Sequence, residues 1–216
     1  ITWLQNQTSV NKKGENANAG AIVVTDVKTG AIIAAATSPT YNINDYLNNY
    51  SLVANGENSP LINRATSGLY RPGSTFKTVT ATAGLNEGII TPSTLITCNQ
   101  VYTYWDDYQP KCTGYHGRIN VVTAIEKSCN IFFYETGRQL GIERLASYAK
   151  LYGFGQNTGI ETGDMAGYFA TPESFQERRL EWQAGLVVQA AIGQSETYAT
   201  PLQLAMQANT IANRGT

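Results

Sequence analysis

The chain has 216 residues, with 15 Lys and Arg against 16 Asp and Glu, so its net charge is −1. This length suits one domain that buries its own core. The near-neutral balance argues against the basic surfaces that nucleic acids and anionic lipids attract, and we predict no nucleic-acid partner. Charged residues make up 14% of the chain, against about 25% in ordinary globular proteins. Uncharged polar side chains must therefore cover much of the surface.

The first part of the chain predicts an arm followed by a β-hairpin. Residues 1–19 lack periodicity, and we expect an N-terminal arm or the end of an upstream segment. The start without an initiator Met indicates a piece of a longer protein. Apolar runs at 21–25 and 31–36 flank a turn-like linker that ends at Gly30, a pattern typical of two core strands. The Asn- and Tyr-rich stretch 38–60 predicts a long loop with one short helix.

Helices dominate the remainder of the chain. Periodic apolar residues predict five helices, near 74–88, 120–128, 131–140, 142–152 and 182–192. A sixth begins at Thr200, where Thr, Pro and Gln occupy the positions of a capping box. Residues 91–119 and 153–181 lack this period and predict loops. Because no β-α-β alternation appears, we predict an α+β fold with helices packed on a small antiparallel sheet.

The three cysteines could form a disulfide, bind a metal together with the one histidine, or remain free thiols. Cys98 and Cys112 flank a Tyr- and Trp-rich loop, where a disulfide and two unpaired thiols are both open. An odd count leaves at least one thiol free. Zinc is the poorer interpretation because no C-x-x-C or H-x-x-x-H spacing occurs, so we predict no metal and no cofactor. We expect His116 to be a packed or solvated loop residue and Cys129 a small buried one.

The segment Ser74-Thr75-Phe76-Lys77 is the strongest candidate for a nucleophile. If a helix begins at Ser74, the i, i+3 spacing places the Ser74 hydroxyl and the Lys77 amine on one face. Lys77 acts as a base once burial or neighbouring cations lower its pKa toward neutrality. The first turn of a helix also offers N–H groups to a developing anion. S-x-x-K alone is common, and its ordinary interpretation is a solvated Lys after an N-cap Ser.

Ser128-Cys129-Asn130 is the second candidate, at the predicted break between two helices. A hydroxyl and an amide two residues apart in a tight turn can relay a proton and hold a substrate amide. Alone, the tripeptide is also explained as a helix boundary, where Ser and Asn are favoured. S-x-x-K at a helix start, followed about fifty residues later by S-x-N, is the arrangement of penicillin-binding proteins and serine β-lactamases.

The segments around these motifs extend the likeness over nearly the whole chain. Residues 20–216 resemble the transpeptidase domain of class B penicillin-binding proteins. The resemblance is carried by Val24-Thr25-Asp26 through Thr29-Gly30-Ala31-Ile32, Asn63-Arg64-Ala65, Tyr70 to Lys77, His116-Gly117, Ser128 to Phe133, Ala191-Ile192-Gly193-Gln194, Thr200 to Ala205, and Ala212 to Thr216.

The resemblance implies a peptidoglycan D,D-transpeptidase with Ser74, Lys77, Ser128 and Asn130 as catalytic residues. Ser74 would attack a D-Ala-D-Ala carbonyl and form an acyl-enzyme, with Lys77 accepting its proton. Ser128 would help to pass a proton to the leaving D-alanine. Asn130 would bind the substrate amide and orient Lys77. The Ser74 N–H would form one half of an oxyanion hole, and β-lactams would trap Ser74 as a slow acyl-enzyme.

One part of the family pattern is missing. The third motif, K-T-G or K-S-G on a strand, is expected after Asn130, but the sequence reaches Thr216 without it. Lys28-Thr29-Gly30 is no substitute, because it precedes Ser74 and falls in the predicted hairpin turn. We therefore expect a domain truncated before that motif, lacking the C-terminal strands of its sheet and acylated weakly or not at all. The hairpin would then have exposed edges.

The resemblance also implies partners and a location. The expected partners are peptidoglycan stem peptides, β-lactam antibiotics and other cell-wall synthesis proteins. The expected place is the outer face of the bacterial cell membrane, with an anchor preceding this chain. A serine β-lactamase and a D,D-carboxypeptidase are the alternatives within enzymes, although no Glu in a recognisable motif would activate a deacylating water. A non-catalytic β-lactam sensor or assembly scaffold is the alternative of another class, and the four retained catalytic residue types argue against it.

Overall fold

The computed structural model describes residues 17–215 and confirms the predicted α+β class. Its strands are β1 (Gly20–Thr25), β2 (Ile32–Ser38), β3 (Ile96–Cys98) and β4 (Gly117–Ile119). Its α-helices are α1 (Ile43–Asn48), α2 (Tyr50–Ala54), α3 (Arg64–Ser67), α4 (Lys77–Asn86), α5 (Val121–Glu126), α6 (Asn130–Leu140), α7 (Ile142–Leu151), α8 (Pro172–Glu177), α9 (Leu186–Ala190) and α10 (Pro201–Ala212). Most of the predicted N-terminal arm, residues 1–16, lies outside the described range. Within 17–215, no helix has the length and apolarity that a membrane span requires.

The described residues divide into two compact units. One contains the residues up to Leu69, Asn157–Met165 and the residues from Thr200 onward; the other contains Tyr70–Gln156 and Ala166–Ala199. Each unit has its own two-stranded antiparallel sheet, β1 with β2 in the first and β3 with β4 in the second.

In the first unit, the predicted hairpin is present and α10 packs on it. Its strands are not the buried core strands that the apolar runs predicted, because neither strand has a fully buried residue and most of β2 is exposed. Gly20 pairs with Ser38, and the register shifts between Val24 and Thr25. Asn209 of α10 ties the helix to the hairpin: its side chain accepts a hydrogen bond from Thr25 Oγ1 at 3.0 Å and donates one to the Asp26 carbonyl at 3.1 Å. The α10 start is also as predicted, since Thr200 and Gln203 form a capping box.

The hairpin turn holds the literal K-T-G sequence, as the sequence indicated. The carboxylate of Asp26 accepts hydrogen bonds from the backbone N–H groups of Lys28 and Thr29, at 3.0 and 2.8 Å, and from the Thr29 hydroxyl at 2.8 Å. An Asp side chain that caps its own turn in this way is a common local device. These three residues therefore have a turn-forming explanation of their own.

In the second unit, α6 is the central helix and packs against α4, α7 and α9. Its buried residues are Ile131, Phe132, Phe133, Tyr134, Thr136, Gly137 and Leu140. Gly137 permits the closest approach, because a Cβ there would lie 2.2 Å from the Cβ of Ala191 at the end of α9. This packing fixes the position of the α6 N-terminus, where Asn130 lies.

Some element boundaries differ from the sequence predictions. The stretch 38–60 contains two short helices, α1 and α2, instead of one. The predicted loop 91–119 contains β3 and β4, whose three-residue length is too short for a strand pattern to be recognised. The predicted loop 153–181 contains α8, whose capping box uses Ser174 in place of the Glu or Gln that marks such boxes in a sequence. The helix predicted at 182–192 shortens to α9, which begins after Gly185, a weak helix former.

Candidate active site

The proposed nucleophile lies in a 3-10 turn, Gly73–Phe76, that leads directly into α4. The predicted helix start at Ser74 is therefore a tighter turn than an α-helix. In a 3-10 turn, side chains at i and i+3 are aligned along the axis, so Ser74 and Lys77 share one side. Ser74 is exposed, whereas Lys77 is only 2% exposed. The turn thus presents a hydroxyl at the surface and an amine beneath it.

Two contacts hold this turn in place. The Gly73 N–H donates a hydrogen bond to the Gly193 carbonyl at 2.8 Å. Phe76 is fully buried and packs against the rings of Phe154 and Phe169, with centroids 5.2 and 5.3 Å away. Gly193 has φ +67°, and a Cβ there would lie 2.4 Å from the Gly73 carbonyl oxygen. A glycine is required at this close approach of two backbones.

The S-x-N motif forms the turn between α5 and α6, as predicted. Ser128 has φ 53°, an uncommon conformation for a residue with a side chain. The Cys129 N–H donates to the Ala124 carbonyl at 2.9 Å, and Asn130 is the first residue of α6. Asn130 Nδ2 also donates to the Lys111 carbonyl at 3.3 Å. The turn is therefore tied to both helices and to the preceding loop.

The structure brings all four predicted site residues together. Lys77 Nζ donates to the Ser128 carbonyl at 2.8 Å, to Ser128 Oγ at 2.9 Å and to Asn130 Oδ1 at 2.6 Å. Ser128 Oγ in turn donates to Ser74 Oγ at 2.9 Å. The hydrogen bonds thus link Ser74 to Lys77 through the Ser128 hydroxyl, rather than by the direct contact that the i, i+3 spacing suggested.

The environment of Lys77 favours its neutral form. Burial lowers the pKa of Lys77 below its ordinary value of 10.5, although the nearby thiols of Cys112 and Cys129 act in the opposite direction and raise it. Desolvation disfavours a charged amine because the interior solvates the charge less well than water does. The direction of this pKa change is the one that a lysine base requires.

The residues that could hold a metal ion lie directly behind the S-x-N turn. The thiols of Cys98, Cys112 and Cys129 and a ring nitrogen of His116 lie within 4.8 Å of one another, and we call this group the Cys/His cluster. All three thiols are free, so Cys98 and Cys112 form no disulfide in the structure. Burial opposes ionisation of Cys112, but backbone N–H groups, among them that of Asn130, prevail and lower its pKa.

Local spacing did not predict the Cys/His cluster. Its residues come from separate segments, and no short motif joins them. One signal was nevertheless present: every Cys and His of the chain falls between positions 98 and 129. Cys129 is buried, as predicted, and His116 is a half-buried loop residue, but both face other ligand atoms.

The fold and this constellation define a class. A serine and a lysine separated by one turn, joined by a second serine and an asparagine at a helix N-terminus, are residue types that serine acyl-transfer enzymes use. The model for the penicillin-binding protein transpeptidase domain matches residues 20–216. The chain therefore belongs to the penicillin-binding protein transpeptidase domain family.

Individual relatives agree with this assignment. The chain is 37% identical to the peptidoglycan D,D-transpeptidase MrdA of Acinetobacter baumannii over 207 residues, which is 91% of this chain and 31% of that protein. It superposes with a TM-score of 0.84 on PBP2 in the PBP2–MreC complex of Helicobacter pylori, at 28% identity, covering 98% of this chain and 41% of the other. A ceftriaxone acyl-enzyme of penicillin-binding protein A from M. tuberculosis gives 0.77 at 27% identity, covering 90% and 45%. The chain spans about a third of the length of the curated relatives that it matches.

Proposed function

We propose that this chain carries the acyl-transfer centre of a peptidoglycan D,D-transpeptidase, with Ser74 as nucleophile. The observation that carries the proposal is the hydrogen-bonded chain from Ser74 Oγ through Ser128 Oγ to Lys77 Nζ, with Asn130 Oδ1 as a further acceptor. The name of the A. baumannii relative supports the reaction type.

The three partners of Lys77 determine how it can act as a base. A neutral amine has one lone pair and must receive a proton from one of them. The oxygens of the Ser128 backbone and the Asn130 amide are carbonyls and carry no proton, so the Ser128 hydroxyl is the donor. For this step the Ser128 hydroxyl, which donates to Ser74 Oγ in the structure, turns to donate to Lys77 Nζ and accepts from the Ser74 hydroxyl. The Ser74 proton then moves to Ser128 Oγ as the Ser128 proton moves to Lys77. At the same time Ser74 Oγ bonds to the carbonyl carbon of the D-Ala-D-Ala peptide bond.

The same relay returns the proton in the second half of the reaction. When the tetrahedral intermediate collapses, the C–N bond breaks and the amine of the terminal D-alanine takes the proton from Lys77 through Ser128. An amine of a second stem peptide then attacks the acyl-enzyme, loses a proton to the relay, and displaces Ser74 Oγ, which regains its proton. One peptide bond breaks and one forms, so no cofactor is consumed.

Substrates, partners and location follow from this proposal. D-Ala-D-Ala stem peptides are the substrates, and β-lactams acylate Ser74, as the acyl-enzyme of the M. tuberculosis relative suggests. The complex of the H. pylori relative with MreC suggests that cell-wall assembly proteins are partners here too. Peptidoglycan is cross-linked outside the cytoplasmic membrane, so the domain acts at that face.

A labelled penicillin tests the proposal on the full-length protein, because residues 1–216 alone, without the third motif, are expected to be acylated weakly or not at all. We expect a stable, stoichiometric adduct whose mass equals the added penicillin and which maps to the peptide containing Ser74. The Ser74→Ala variant should form none, whereas Ser147→Ala, which removes an exposed serine hydroxyl on α7, should react normally. Rapid turnover of a chromogenic cephalosporin would instead indicate a β-lactamase. No adduct, or one unaffected by Ser74→Ala, would refute the proposal.

A further inference from the structure

The segment between β3 and β4 contains a loop whose ends are bonded to each other. The Tyr102 N–H donates a hydrogen bond to the Pro110 carbonyl at 3.0 Å. Tyr102 is 6% exposed, and its hydroxyl donates to Glu135 Oε2 on α6 at 2.6 Å. These bonds close the base of the loop and fix it to α6. We call the enclosed residues 103–109 the aromatic loop.

A pocket of about 530 Å³ lies between the aromatic loop and the start of α9. Trp105, Asp107 and Tyr108 line it from the loop, and residues 183–186 line it from the other side. All of these residues belong to the second unit. The volume falls within the range of about 300–1,000 Å³ that small-molecule sites occupy. The pocket is therefore large enough to receive a side chain of a bound peptide.

The aromatic walls of the pocket are held in place by specific contacts. Tyr108 Oη accepts a hydrogen bond from Gln189 Nε2 of α9 at 2.7 Å. The Tyr108 ring packs on the backbone of Gly185, where a Cβ would lie 2.8 Å from the ring. The centroid of the Trp105 ring lies 6.1 Å from that of Tyr108 and 4.9 Å from that of Tyr104. The two rings that line the pocket are thus positioned by the protein itself.

The charge of the pocket comes from Asp107. Asp107 is exposed and forms no ion pair with any residue in the described range 17–215. Among the described residues that line the pocket, none is cationic. A cation is attracted both to a carboxylate and to the face of an aromatic ring, most strongly to that of Trp. The lining therefore favours a positively charged group, and an ammonium group has the size and the hydrogen-bond donors to meet Asp107.

The aromatic loop is bonded to the proposed acyl-transfer centre. Lys111 follows the loop, and its carbonyl accepts hydrogen bonds from Asn130 Nδ2 at 3.3 Å and from the Tyr134 hydroxyl at 3.5 Å. Asn130 and Tyr134 are four residues apart on α6, so they share one face of that helix. The loop that forms the pocket is therefore anchored at a residue that also contacts Lys77.

Packing of aromatic side chains within a loop is the competing explanation. Tyr102 is buried and bonded to α6, which explains how the loop is anchored. Packing alone does not require Trp105 and Tyr108 to remain half-buried around an open pocket. It also does not require an unpaired carboxylate in the lining. Aromatic faces around a cation are a known way of recognising ammonium groups.

We propose that this pocket binds an ammonium-bearing side chain of a stem peptide, with Asp107 pairing the charge and the rings of Trp105 and Tyr108 contacting it. The inference rests on the proposed function, in which stem peptides are the substrates and one of them supplies an amine. Binding in the pocket holds the peptide on the loop that contacts Asn130, which favours a productive encounter with Ser74. No covalent bond forms or breaks in the pocket.

Titration of the Ser74→Ala variant of the full-length protein with two matched peptides is the first test. Both peptides end in D-Ala-D-Ala, and the preceding residue is lysine in one and norleucine, which lacks the ammonium group, in the other. The indole N–H resonance of Trp105 reports binding, even when it is weak. We expect the lysine peptide to bind about two- to fivefold more tightly, as for exposed ion pairs and cation–π contacts. High salt should reduce this preference, because it screens exposed charges.

Two outcomes of this titration would overturn the proposal. One is equal affinity for the two peptides at low salt. The other is a Trp105 resonance that neither peptide shifts.

Variants of the lining separate the contribution of the charge from that of the ring. Asp107→Asn should remove the preference for the lysine peptide. Asp106→Asn is the matched control, because Asp106 is an exposed neighbour that does not line the pocket, and most of the preference should remain. Trp105→Leu should weaken binding of the lysine peptide, whereas Trp105→Phe, which keeps an aromatic ring, should preserve it. Equal effects of the two Asp variants would refute the pocket, since a general negative field would then attract the peptide.

Two rates show which stem peptide uses the pocket. If the peptide that acylates Ser74 uses it, Asp107→Asn should slow acylation by the lysine peptide. If the peptide that supplies the amine uses it, the same variant should slow transfer of the acyl group to that peptide. A variant that slows neither reaction would contradict a role of the pocket in substrate binding.

Reaction of the wild-type protein with labelled penicillin separates this inference from the proposed function. A protein that prefers the lysine peptide but forms no Ser74 adduct would contradict the proposed function alone. A protein that forms the adduct without that preference would contradict the pocket alone.

Discussion

Two regions share the Ser128–Asn130 turn, and they differ in chemistry. On one side lie Lys77 and the hydroxyls of Ser128 and Ser74, in a chain of hydrogen bonds that reaches the surface. On the other lies the Cys/His cluster, whose three thiols are buried. The first region depends on protons that can move, and the second on buried side chains that stay fixed. A substitution on one side should therefore change acylation, and a substitution on the other should change stability.

The largest effect is expected for Lys77→Arg. A guanidinium stays protonated and cannot accept the Ser74 proton, so we expect the acylation rate to fall by about 10²–10⁴-fold, the usual contribution of a general base. Stopped-flow measurement with labelled penicillin gives the rate.

Two further variants make the Lys77 result decisive. Lys127→Arg is the matched control, because Lys127 is exposed and pairs only with Glu126 on the surface. Lys77→Met removes the amine without adding bulk. It therefore shows whether slow acylation in Lys77→Arg comes from loss of the base or from a fold disturbed by the larger side chain. Normal acylation in both Lys77 variants would show that this amine is not the base.

A substitution at Gly193 tests how the turn that holds Ser74 is supported. Gly193→Ala combines a positive φ with a Cβ 2.4 Å from the Gly73 carbonyl oxygen. We expect a loss of about 1–3 kcal/mol in stability, as for other strained backbones, together with slower acylation. Denaturant unfolding and the acylation rate measure the two effects.

Gly88→Ala measures the strain of a positive φ without a steric clash. Gly88 has a similar φ of +68°, but a Cβ there meets nothing within 4 Å. Its stability loss should reflect the backbone conformation alone, about 1–2 kcal/mol, with acylation unchanged. If both variants slow acylation equally, the contact between Gly193 and Gly73 has no special role.

The pH dependence of acylation tests the burial of Lys77. Burial lowers the pKa of Lys77 below 10.5, so the neutral amine becomes abundant at a lower pH than in an exposed lysine. Below that lowered pKa, the acylation rate should rise about tenfold per pH unit, since one proton must leave. It should level off before pH 10.5, and a rise that continues to the ordinary lysine pKa would contradict the assignment.

Stability should follow pH in the same direction. Between the lowered pKa and 10.5, the unfolded chain holds the Lys77 proton and the folded chain does not. The free energy of unfolding therefore gains from this residue as pH rises through that window, and the gain is absent below it. The Lys77→Met variant should lack this component.

The two regions were not equally predictable from the sequence. Ser74 with Lys77, and Ser128 with Asn130, are close in sequence within each pair, so spacing alone indicated shared faces and turns. The Cys/His cluster depends on β3 pairing with β4, and strands of three residues leave no recognisable pattern. The residues of the cluster therefore converge through tertiary structure, which local spacing does not reveal.

The order of hydrogen bonds within the relay could not be predicted from the sequence either. The i, i+3 spacing indicated that Ser74 and Lys77 are neighbours, but the Ser128 hydroxyl lies between them in the hydrogen-bonded chain. Its position depends on the φ of 53° at Ser128 and on the packing of α6. Helix caps were easier to predict, because Asn120 and Thr200 each bond to the residue three positions further along the chain.

The smallest predicted effect arises at the helix that leads into the shared turn. Asn120 caps α5 by accepting a hydrogen bond from the Thr123 N–H at 3.1 Å, and α5 leads into that turn. Asn120→Ala should cost about 1 kcal/mol of stability, as for other N-caps. Because the turn after this helix holds Ser128, acylation should slow slightly.

Asn99→Ala is the control for this change, since Asn99 is exposed and caps no helix among residues 17–215. Denaturant unfolding and the acylation rate, measured on the two variants, give the comparison. If Asn120→Ala lowered stability but left acylation unchanged, the N-cap of α5 would not support the position of Ser128 in the relay.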